Sequence, residues 1–338
     1  MSRAASVTGI VVLNWNNARD TTACLSSLRS LDDEGHVVYV VDNGSTDASV
    51  EQLRTWCAGE LSSHAVRQVV AHGRDVPYHP LAGGRDERPS IVLVLGDENL
   101  GYAGGNNLGI RVALQDGCDQ VWLLNNDTVV ATDSLAQLLT VLQTTPAVGI
   151  VGACILEYGT SDVVQCLGGY RYSSLTTARK AVGAGLTYAA VQALPQSERR
   201  LDYVSGASML IPATTLRRVG LLAEEYFLYH EDVDYACRCG AAGLPLVVSS
   251  QARVYHKFGG TAGSSETLEG KSALAAFHGA RSTMILTRKY RPYLVPVTLV
   301  VRLLWVAYLA LNTAGRRLVR PTVRGLIAGL QARGSSTA

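Results

Sequence analysis

Short apolar runs alternate with predicted helices along the first half of this chain. The runs are rich in β-branched residues, which predicts strands buried on both faces of a sheet, and they occupy residues 7–13, 37–41, 91–95, 121–124 and 148–155. The predicted helices cover residues 20–31, a stretch that ends at residue 56, residues 107–115 and residues 134–142. This alternation predicts an α/β fold with a largely parallel sheet and helices on both of its faces.

Two stretches interrupt the alternation. Residues 58–90 combine several glycines and prolines with mixed charges, which predicts a surface insertion with a short strand near residues 68–71. Residues 157–200 are rich in Gly, Ser, Thr and Tyr and have weak periodicity, which predicts an irregular, β-rich excursion.

Polar clusters directly follow several of the predicted strands. Asn14 and Asn16 come after the first strand, Asp42 begins a polar turn after the second, and Asn125-Asn126-Asp127 follows the fourth. In sheets of this kind, ligands bind outside the carboxyl ends of the strands. These clusters therefore mark the predicted ligand-binding edge.

A glycine-rich segment, residues 99–107, follows the third strand and opens a predicted helix. Glycines let the backbone approach a phosphate closely, and a helix N-terminus favours negative charge. The spacing is not G-x-G-x-x-G, and asparagines instead of glycines follow the first strand, which argues against a dehydrogenase. A helix entry that needs glycine for tight packing explains the segment equally well.

Carboxylates and one histidine are the candidates for chemistry. Asp127 beside a phosphate would be a natural ligand for Mg²⁺ or Mn²⁺, although Asn and Asp are also ordinary turn residues. Glu231, Asp232 and Asp234 begin a predicted helix, where they favour the helix dipole or, beside upstream aromatic residues, include a base of raised pKa. His256 follows an apparent strand, and it is either structural or a ligand for metal or phosphate.

Six short motifs occur in a defined order along the chain. They are Asp-Asn-Gly-Ser-Thr-Asp, Asn-x-Gly-x-Ala-Gly-Gly-x-Asn, Leu-Leu-Asn-Asn-Asp, Ser-Gly-Ala, Glu-Asp-x-Asp after aromatic residues, and His-x-x-Gly. Over about residues 7–290 this set closely resembles glycosyltransferase family 2, and most of all its rhamnosyltransferase-like branch, which builds bacterial surface polysaccharides. The resemblance implies an inverting, nucleotide-sugar-dependent enzyme with a single Rossmann-like nucleotide-binding sheet of the A-type glycosyltransferase fold.

The resemblance also implies which residues bind the donor. It assigns Asp42 to the base and ribose of the nucleotide, with Asn14 and Asn16 bordering the same pocket. The loop against the nucleotide and its diphosphate would consist of Asn99, Gly101, Gly104, Gly105 and Asn106.

Metal binding and catalysis are implied in the same way. Asp127 matches the last Asp of the family's Asp-x-Asp metal motif, and Asn125 replaces the first, which leaves one carboxylate for Mg²⁺ or Mn²⁺. Binding would then depend on the diphosphate and on His256. Asp232 matches the catalytic base, and Glu231 is its neighbour in the same motif.

Charge separates the end of the chain from the rest. The 338 residues contain 30 Lys and Arg and 28 Asp and Glu, yet residues 270–338 carry eleven of the basic residues and no acidic one. The preceding part has a net charge of −9. Such asymmetry indicates an anionic partner, either lipid or nucleic acid. The seven cysteines are odd in number and widely spread, which predicts packing thiols in a reducing compartment.

Residues 294–311 are apolar at 15 of 18 positions, with Arg302 near the centre and basic residues on both flanks. A single membrane span would export one positive flank, against the positive-inside rule. We therefore expect a helix that lies in, or re-enters, the cytoplasmic leaflet. A helix buried in an oligomer interface is the alternative, and nucleic acid is not expected because the tail contains no recognised nucleic-acid module.

Together these features predict three regions. Residues 1–156 form a nucleotide-sugar-binding half, residues 157–269 an acceptor-side segment with the catalytic base, and residues 270–338 a basic helical tail. The predicted enzyme is peripheral or re-entrant at the cytoplasmic face of the cell membrane and moves rhamnose from dTDP-rhamnose to a glycan or lipid-linked acceptor. UDP-hexose or UDP-N-acetylhexosamine donors, or a non-catalytic nucleotide-sugar-binding scaffold, are the alternatives. A nucleotidyltransferase would have a Gly-rich loop and a basic residue after the first strand, which this chain lacks.

Overall fold

The computed structural model describes residues 6–33, 35–60, 66–77, 90–160, 162–195, 197–257 and 267–332. Much of the predicted insertion at residues 58–90 lies outside the described residues, as does the glycine of the His-x-x-Gly motif. Within the described part of the insertion, a strand at Val66–Ala71 confirms the strand expected near residues 68–71.

A ten-stranded sheet forms the centre of the described chain. Across the sheet its strands are β3 (Val66–Ala71), β4 (Ile91–Gly96), β2 (His36–Asn43), β1 (Thr8–Asn14), β5 (Gln120–Asn125), β12 (Ser208–Pro212), β7 (Ile150–Glu157), β13 (Leu246–His256) and β6 (Thr128–Val130), with β8 (Val164–Leu167) paired to β7. The first five are mutually parallel, as predicted, and β7 runs parallel to β13. Strand β12 enters between β5 and β7 in the antiparallel direction, so the sheet is mixed.

The excursion after β7 is β-rich, as predicted. Strands β9 (Gly169–Tyr172), β10 (Arg179–Ala181) and β11 (Tyr203–Val204) form a small antiparallel sheet in the order β10-β9-β11, and a short helix, α5 (Tyr188–Gln192), follows β10. The chain then returns to the main sheet through β12 and β13, so the first two predicted regions share one sheet.

Helices cover both faces of the main sheet. They are α1 (Ala18–Leu28), α2 (Ser49–Glu60), α3 (Gly101–Gln115), α4 (Ser134–Thr144), α6 (Ala213–Val219) and α7 (Glu231–Ala241), and three further helices follow in the tail, α8 (Ala273–Tyr290), α9 (Val295–Leu311) and α10 (Arg316–Gln331). Alternate residues of β1 belong to different hydrophobic clusters: Ile10 packs on the side of α1 and α4, and Val11 on the side of α3 and α7. Both clusters are fully buried, which explains the continuous apolar runs of the central strands.

Helix α3 begins at Gly101, six residues before the predicted start. A Cβ on Gly105 would come within 2.5 Å of Leu13 and 2.9 Å of Asn43, and a Cβ on Gly104 within 2.6 Å of the Leu100 side chain. The glycines therefore let the helix pack closely on β1 and β2, and this packing overrides their low helix propensity. The alternative that the glycines serve tight packing is the one that the structure supports.

The tail forms three helices that pack on one another. Helix α10 lies along α8, where Gly325 and Gly329 allow its backbone to approach the carbonyls of Phe277 and Arg281. The segment Pro292–Leu311 is long and apolar enough to cross a membrane, with a mean hydropathy of 2.1, yet only 11% of it is buried. Its exposed large apolar side chains are Tyr293, Val297, Val300, Leu303, Leu304, Trp305, Tyr308 and Leu311.

Candidate active site

A cavity of about 230 Å³ lies at the carboxyl ends of the central strands. We call it the strand-end cavity, and its wall includes Asn43, Asn99, Asp127, Asp232 and His256. Asn43 and His256 end β2 and β13, Asn99 and Asp127 follow β4 and β5, and Asp232 lies in the first turn of α7. The fold therefore brings five distant segments of the chain to the edge of the sheet where the strand directions predicted a ligand site.

Asp127 and His256 face each other in this cavity. The Oδ1 atom of Asp127 is buried and accepts no hydrogen bond, and it lies 3.2 Å from Nε2 of His256. The Oε1 atom of Gln165 lies 3.0 Å from Nδ1 of His256, while Nε2 of Gln165 donates to the His256 carbonyl at 2.9 Å. Because the Gln165 oxygen can only accept, Nδ1 carries a proton, and Nε2 is the ring nitrogen that faces the carboxylate.

This pair fits a divalent cation. A carboxylate oxygen and an imidazole nitrogen that face each other at this distance need a cation or a proton between them. Carboxylates and imidazoles are both ligands of Mn²⁺. Within the described residues, no cluster of three or more His, Cys, Asp or Glu side chains could hold a metal. Asp127 and His256 are thus a pair of such side chains, and Asn125, which also lines the cavity, stands where the family motif has a second carboxylate.

Asp42 and Asn14 lie behind the cavity wall. Asp42 is 1% exposed, and its carboxylate accepts hydrogen bonds from Nδ2 of Asn14 at 2.8 Å and from the Ser45 hydroxyl at 2.6 Å. Thr21 donates to Asn14 and accepts from Asn126, so one buried network joins the ends of β1, β2 and β5. In this structure, Asp42 and Asn14 position the strand ends and do not line the cavity.

Some of the other predicted donor-binding residues line the cavity, and others do not. Asn99 and Gly101 line the strand-end cavity, whereas Gly104, Gly105 and Asn106 are buried in the first turns of α3 and do not line it. Asn16 is half-buried, and its Oδ1 accepts from the Thr46 backbone N–H at 2.8 Å.

Asn43 connects the two donor-binding motifs. Its Nδ2 donates to Oδ1 of Asn99 at 2.9 Å and to the Gly101 carbonyl at 3.1 Å, and its Oδ1 accepts from the Leu100 N–H. Asn43 is the second residue of the Asp-Asn-Gly-Ser-Thr-Asp motif and had no predicted role, although its position beside Asp42 at a strand end was a usable signal.

Asp232 and Glu231 begin α7 and line the strand-end cavity together. Burial raises the pKa of Asp232 to about 6, although hydrogen bonding from the Val233 N–H and the charge of Arg179 act in the opposite direction. Burial, and next the charge of Asp232, raises the pKa of Glu231 well above its usual value, and its Oε2 has no hydrogen-bond partner. Burial therefore disfavours the ionised form of both carboxyl groups, and Asp232 is the one whose ionised form is stabilised by the Val233 N–H and the charge of Arg179.

Asp234 has a different function in the same helix. Its carboxylate lies 2.7 Å from Nε of Arg238 and 2.8 Å from Nζ of Lys289, and it accepts a hydrogen bond from the Tyr290 hydroxyl. Burial alone would raise the pKa of Asp234, but Arg238 and Lys289 hold it below its usual value. Asp234 thus attaches α7 to α8 and does not face the cavity.

The loop before Asp232 has an unusual backbone. Phe227, Tyr229 and His230 have φ values of 59°, 66° and 69°, in the left-handed region that side chains other than glycine seldom adopt. The Ser282 hydroxyl of α8 lies within hydrogen-bonding distance of the carbonyls of Tyr226 and Leu228, at 3.0 and 2.9 Å. Helix α8, predicted as part of the tail, therefore supports the loop that precedes Asp232. Positive φ values at residues other than glycine, as at Phe227, Tyr229 and His230, are characteristic of functional sites.

Two cavity residues carried no usable sequence signal. Arg179, on β10, lines the strand-end cavity, and its charge acts to lower the pKa of Asp232. It belongs to the irregular excursion, in which no residue was predicted to be functional. Tyr102 donates its hydroxyl to the Gly206 carbonyl at 2.6 Å and so connects α3 to the segment before β12. Both depend on contacts between segments far apart in the chain.

A second cavity, of about 560 Å³, shares part of its wall with the first. We call it the tail cavity because α8, α9 and α10 line much of it, through residues such as Thr283, Arg302 and Leu318. Asp232 and Arg179 line both cavities. Asp232 is therefore accessible from two sides.

The fold is that of A-type glycosyltransferases. The mannosyltransferase PcManGT from Pyrobaculum calidifontis, solved with GDP-Man and Mn²⁺, matches with a TM-score of 0.53 and 14% identity over 97% of this chain and 88% of its own. GalNAc-T7, solved with UDP, GalNAc and Mn²⁺, matches with a TM-score of 0.56 and 14% identity over 86% of this chain and 52% of its own. At this identity the likeness shows the fold alone.

The family follows from the sequence match. A family model described as "Glycosyltransferase like family 2" matches residues 5–271, which is most of the chain. The chain belongs to glycosyltransferase family 2, and the resemblance to that family found in its motifs is confirmed.

Two relatives of known activity match this chain, one at low identity and the other over a short segment. The low-salt glycan biosynthesis hexosyltransferase Agl10 of Haloferax volcanii is 24% identical over 233 residues, which are 68% of this chain and 60% of that protein. The chain thus matches less than two thirds of the length of this relative. The N-acetylglucosaminyl-diphospho-decaprenol L-rhamnosyltransferase of Mycobacterium tuberculosis is 40% identical over 65 residues, 19% of this chain and 21% of that protein.

Proposed function

We propose that the protein is an inverting glycosyltransferase that takes its sugar from a nucleotide-sugar donor bound in the strand-end cavity. The observation that carries this proposal is the position of Asp232, an ionisable carboxylate with a pKa of about 6, in the same cavity as the Asp127–His256 pair. A base and an anion-binding centre in one cavity are what glycosyl transfer from a diphosphate requires.

Asp232 is the proposed base. An acceptor hydroxyl attacks the anomeric carbon from the face opposite the diphosphate, and Asp232 takes its proton as the new C–O bond forms and the bond to the diphosphate breaks. In-line displacement inverts the anomeric configuration. General base catalysis of this kind contributes roughly 10²–10⁴-fold to the rate. Its pKa of about 6 leaves Asp232 ionised near pH 7 while it remains a stronger base than an exposed aspartate.

Asp127 and His256 are the proposed ligands for Mg²⁺ or Mn²⁺. The buried Oδ1 of Asp127, which accepts no hydrogen bond, and the orientation of His256 by Gln165 support this assignment. When bound, the cation would act as a Lewis acid that stabilises charge on the leaving diphosphate. Solved proteins of the same fold were obtained with Mn²⁺, which is consistent with a divalent metal.

Asn43, Asn99 and Gly101 are the residues that we propose to contact the nucleotide directly, because they line the cavity beside the metal pair. Asp42, Asn14 and Asn16 are proposed to act on the same ligand through the polar network that orders the strand ends. Gly104, Gly105 and Asn106 would act by positioning α3 against β1 and β2.

Rhamnose from dTDP-rhamnose is the proposed donor. The short match to a mycobacterial rhamnosyltransferase supports this choice, while the longer match to the hexosyltransferase Agl10 supports a UDP-hexose or UDP-N-acetylhexosamine. The acceptor is proposed to be a glycan or a lipid-linked sugar of a cell-surface polysaccharide.

A location on the cytoplasmic face of the cell membrane is also proposed. The exposed apolar face of α9 and the eleven basic residues after position 269 support it, because apolar insertion and attraction to anionic lipid act together. Arg302, which would be costly among lipid tails, lines the tail cavity instead and donates to Thr283, so it does not oppose insertion of the outer face.

The test is a panel of nucleotide sugars incubated with purified full-length protein and Mn²⁺, with release of nucleoside diphosphate as the measurement. We expect one donor to be hydrolysed and its nucleoside diphosphate to bind. Asp232→Asn should bind the same nucleotide and hydrolyse the donor at least roughly 10²-fold more slowly. Nucleotide binding without hydrolysis of any donor, in the presence of acceptor extracts, would support the non-catalytic scaffold instead.

A further inference from the structure

The tail cavity contains an excess of positive charge. Arg179, Lys271 and Arg302 line it, and the carboxyl groups in its wall are Glu231 and Asp232. Burial, and next the charge of Asp232, raises the pKa of Glu231 well above its usual value, which favours its neutral form. Three basic side chains and two carboxyl groups thus line this cavity.

Arg302 and Lys271 lack carboxylate partners among the described residues. Nη2 of Arg302 donates to the Thr283 hydroxyl at 3.0 Å, and Nε of Arg302 is buried with no hydrogen-bond partner. Burial, together with the charges of Arg179 and Arg302, lowers the pKa of Lys271. A buried cation without a counter-charge is unfavourable, so these groups are suited to an anion that enters the cavity.

The polar neighbours of Arg302 do not supply that anion. The Thr283 hydroxyl donates to the Gly279 carbonyl at 2.7 Å, so its oxygen accepts from Arg302 and from Nε2 of His230, which lies 3.0 Å away. Burial lowers the pKa of His230 to about 3, which leaves its ring neutral. Donors and cations thus converge on this part of the cavity.

The wall of the tail cavity also has an apolar part, which includes residues of α9 and α10. Trp305, Leu309 and Leu318 line the cavity, and Val300 and Leu304 on the same helix are exposed. A ligand that fits both parts combines a phosphate group with a long apolar chain. Membrane-bound acceptors of that kind would reach the cavity along the face of α9 that we propose to contact lipid.

We propose that the tail cavity binds the acceptor as a lipid diphosphate, with Arg179, Lys271 and Arg302 holding the diphosphate and α9 contacting the lipid chain. The sugar of that acceptor then lies at Asp232, which lines both cavities, with the donor on the other side. This inference rests on the proposed glycosyltransferase function and adds to it the class of the acceptor.

The experiment is a calorimetric titration of the full-length protein in detergent micelles with farnesyl diphosphate, farnesol and inorganic pyrophosphate. Each titration is carried out with Mn²⁺ and a saturating concentration of the nucleoside diphosphate identified with the donor panel, which keeps the probe out of the strand-end cavity. We expect farnesyl diphosphate to bind at least tenfold more tightly than farnesol or pyrophosphate. Equal binding of farnesol would exclude the role of the cations, and equal binding of pyrophosphate would exclude that of the lipid chain.

Matched variants locate the site. Lys271→Met and Arg302→Met should each weaken binding of farnesyl diphosphate at least tenfold. Arg324→Met removes the same charge from an exposed position of α10 away from the cavity, and it should change binding less than twofold. Equal loss in all three variants would mean general attraction to a basic tail, and no loss in Lys271→Met and Arg302→Met would overturn the proposal.

The same variants separate this inference from the proposed function. Nucleoside diphosphate should bind Lys271→Met and wild-type protein with the same affinity, because Lys271 does not line the strand-end cavity. Loss of nucleotide binding and donor hydrolysis in the wild-type protein would overturn the proposed function itself. Intact donor hydrolysis with farnesyl diphosphate binding unaffected by both substitutions would overturn only the acceptor site. Lys271→Met keeps the test valid if Arg302→Met unfolds, since Lys271 makes no described hydrogen bond or ion pair.

Discussion

The two cavities that meet at Asp232 differ in how the chain builds them. The strand-end cavity includes many residues at the carboxyl ends of strands, and most of these belong to short sequence motifs. The tail cavity shares Glu231 and Asp232 with it, but much of its wall comes from α8, α9 and α10, which no motif connects. Parallel strands determine in advance where their ends meet, whereas helices outside the sheet form a site only through packing.

Two carboxylates of α7, Asp232 and Asp234, also differ in what surrounds them. Asp232 and Asp234 are two residues apart, yet the pKa of Asp232 is raised by burial and that of Asp234 is lowered by Arg238 and Lys289. Asp232 faces both cavities, and Asp234 faces α8. Adjacent acidic residues in one motif can therefore have unrelated functions, and only their partners decide which is the base.

The largest expected effect concerns the strand-end cavity alone. Removal of divalent metal with EDTA should abolish transfer, and Mn²⁺ or Mg²⁺ should restore it, because Asp127 and His256 need a cation to hold a diphosphate. Asp127→Ala should weaken nucleotide binding at least tenfold with Mn²⁺ and have little effect without it, as measured by titration. Full activity in EDTA would mean that Arg179 and polar groups neutralise the diphosphate.

The next effect tests the group shared by both cavities. Asp232→Asn should lower kcat by roughly 10²–10⁴-fold with little change in nucleotide affinity. Glu231→Gln should change kcat by less than about threefold, because an amide resembles the neutral acid that burial maintains there. If Asp232→Asn retains most of its rate and Glu231→Gln does not, the assignments of the two carboxyl groups are reversed.

The unfolding temperature of Asp232→Asn provides a control for its loss of rate. The pKa of Asp232 is raised from 3.8 to about 6 in the folded protein, so its contribution to stability is full at low pH, is lost as pH rises between these two values, and is absent at pH 7.5. Asp232→Asn should therefore unfold at the same temperature as the wild type, or a few degrees higher, at pH 7.5. A markedly lower midpoint would attribute its loss of rate to misfolding.

A pH profile should give a smaller, graded effect. Transfer requires the ionised form of Asp232, whose pKa is about 6, so kcat should fall as pH decreases through 6 and by about tenfold per unit well below it. The loss should be reversible on return to pH 7.5. A rate that is independent of pH between 5 and 7.5 would contradict the assignment of Asp232 as the base.

The smallest effect concerns the outer face of the tail. Full-length protein should co-sediment with anionic liposomes, and high salt should weaken the binding only in part, because salt screens charge but not apolar insertion. Val300→Glu with Leu304→Glu should reduce the bound fraction several-fold. Leu175→Glu, an equally exposed apolar position outside the tail, should not. If the double variant sediments like the wild type, or instead changes the oligomeric state, the exposed face is not a lipid-binding surface.

Substitution is a sharper test here than truncation after Arg291. Truncation would remove α9 and α10, and α10 covers Ala280 and Met284 of α8. Helix α8 in turn supports the loop before Asp232 through Ser282. If the truncated protein lost activity, loss of lipid binding could not be separated from loss of the support that α8 gives to the loop before Asp232. The surface variants change only the exposed face of α9.

The amino-acid sequence by itself determined the strand–helix alternation, the polar ends of the strands and the order of the six motifs. Each of these is local: apolar runs of β-branched residues form buried strands, and strand direction fixes which ends meet. The motifs, and the family resemblance that they carry, singled out Asp127, Asp232 and His256, which the structure brings into one cavity. It also identified the exposed, apolar helix of the tail.

Tertiary structure alone decided what each of these residues contacts. Close packing of Gly105 on Leu13 extended α3 into a segment expected to be a loop, and the long excursion reversed the direction of β12. Asp42 bonds to Asn14 and Asp234 pairs with Lys289, while Arg179 joins the site from an irregular segment. Spacing along the chain carries no information on such contacts, because burial, charge and cavity walls arise only when distant segments pack together.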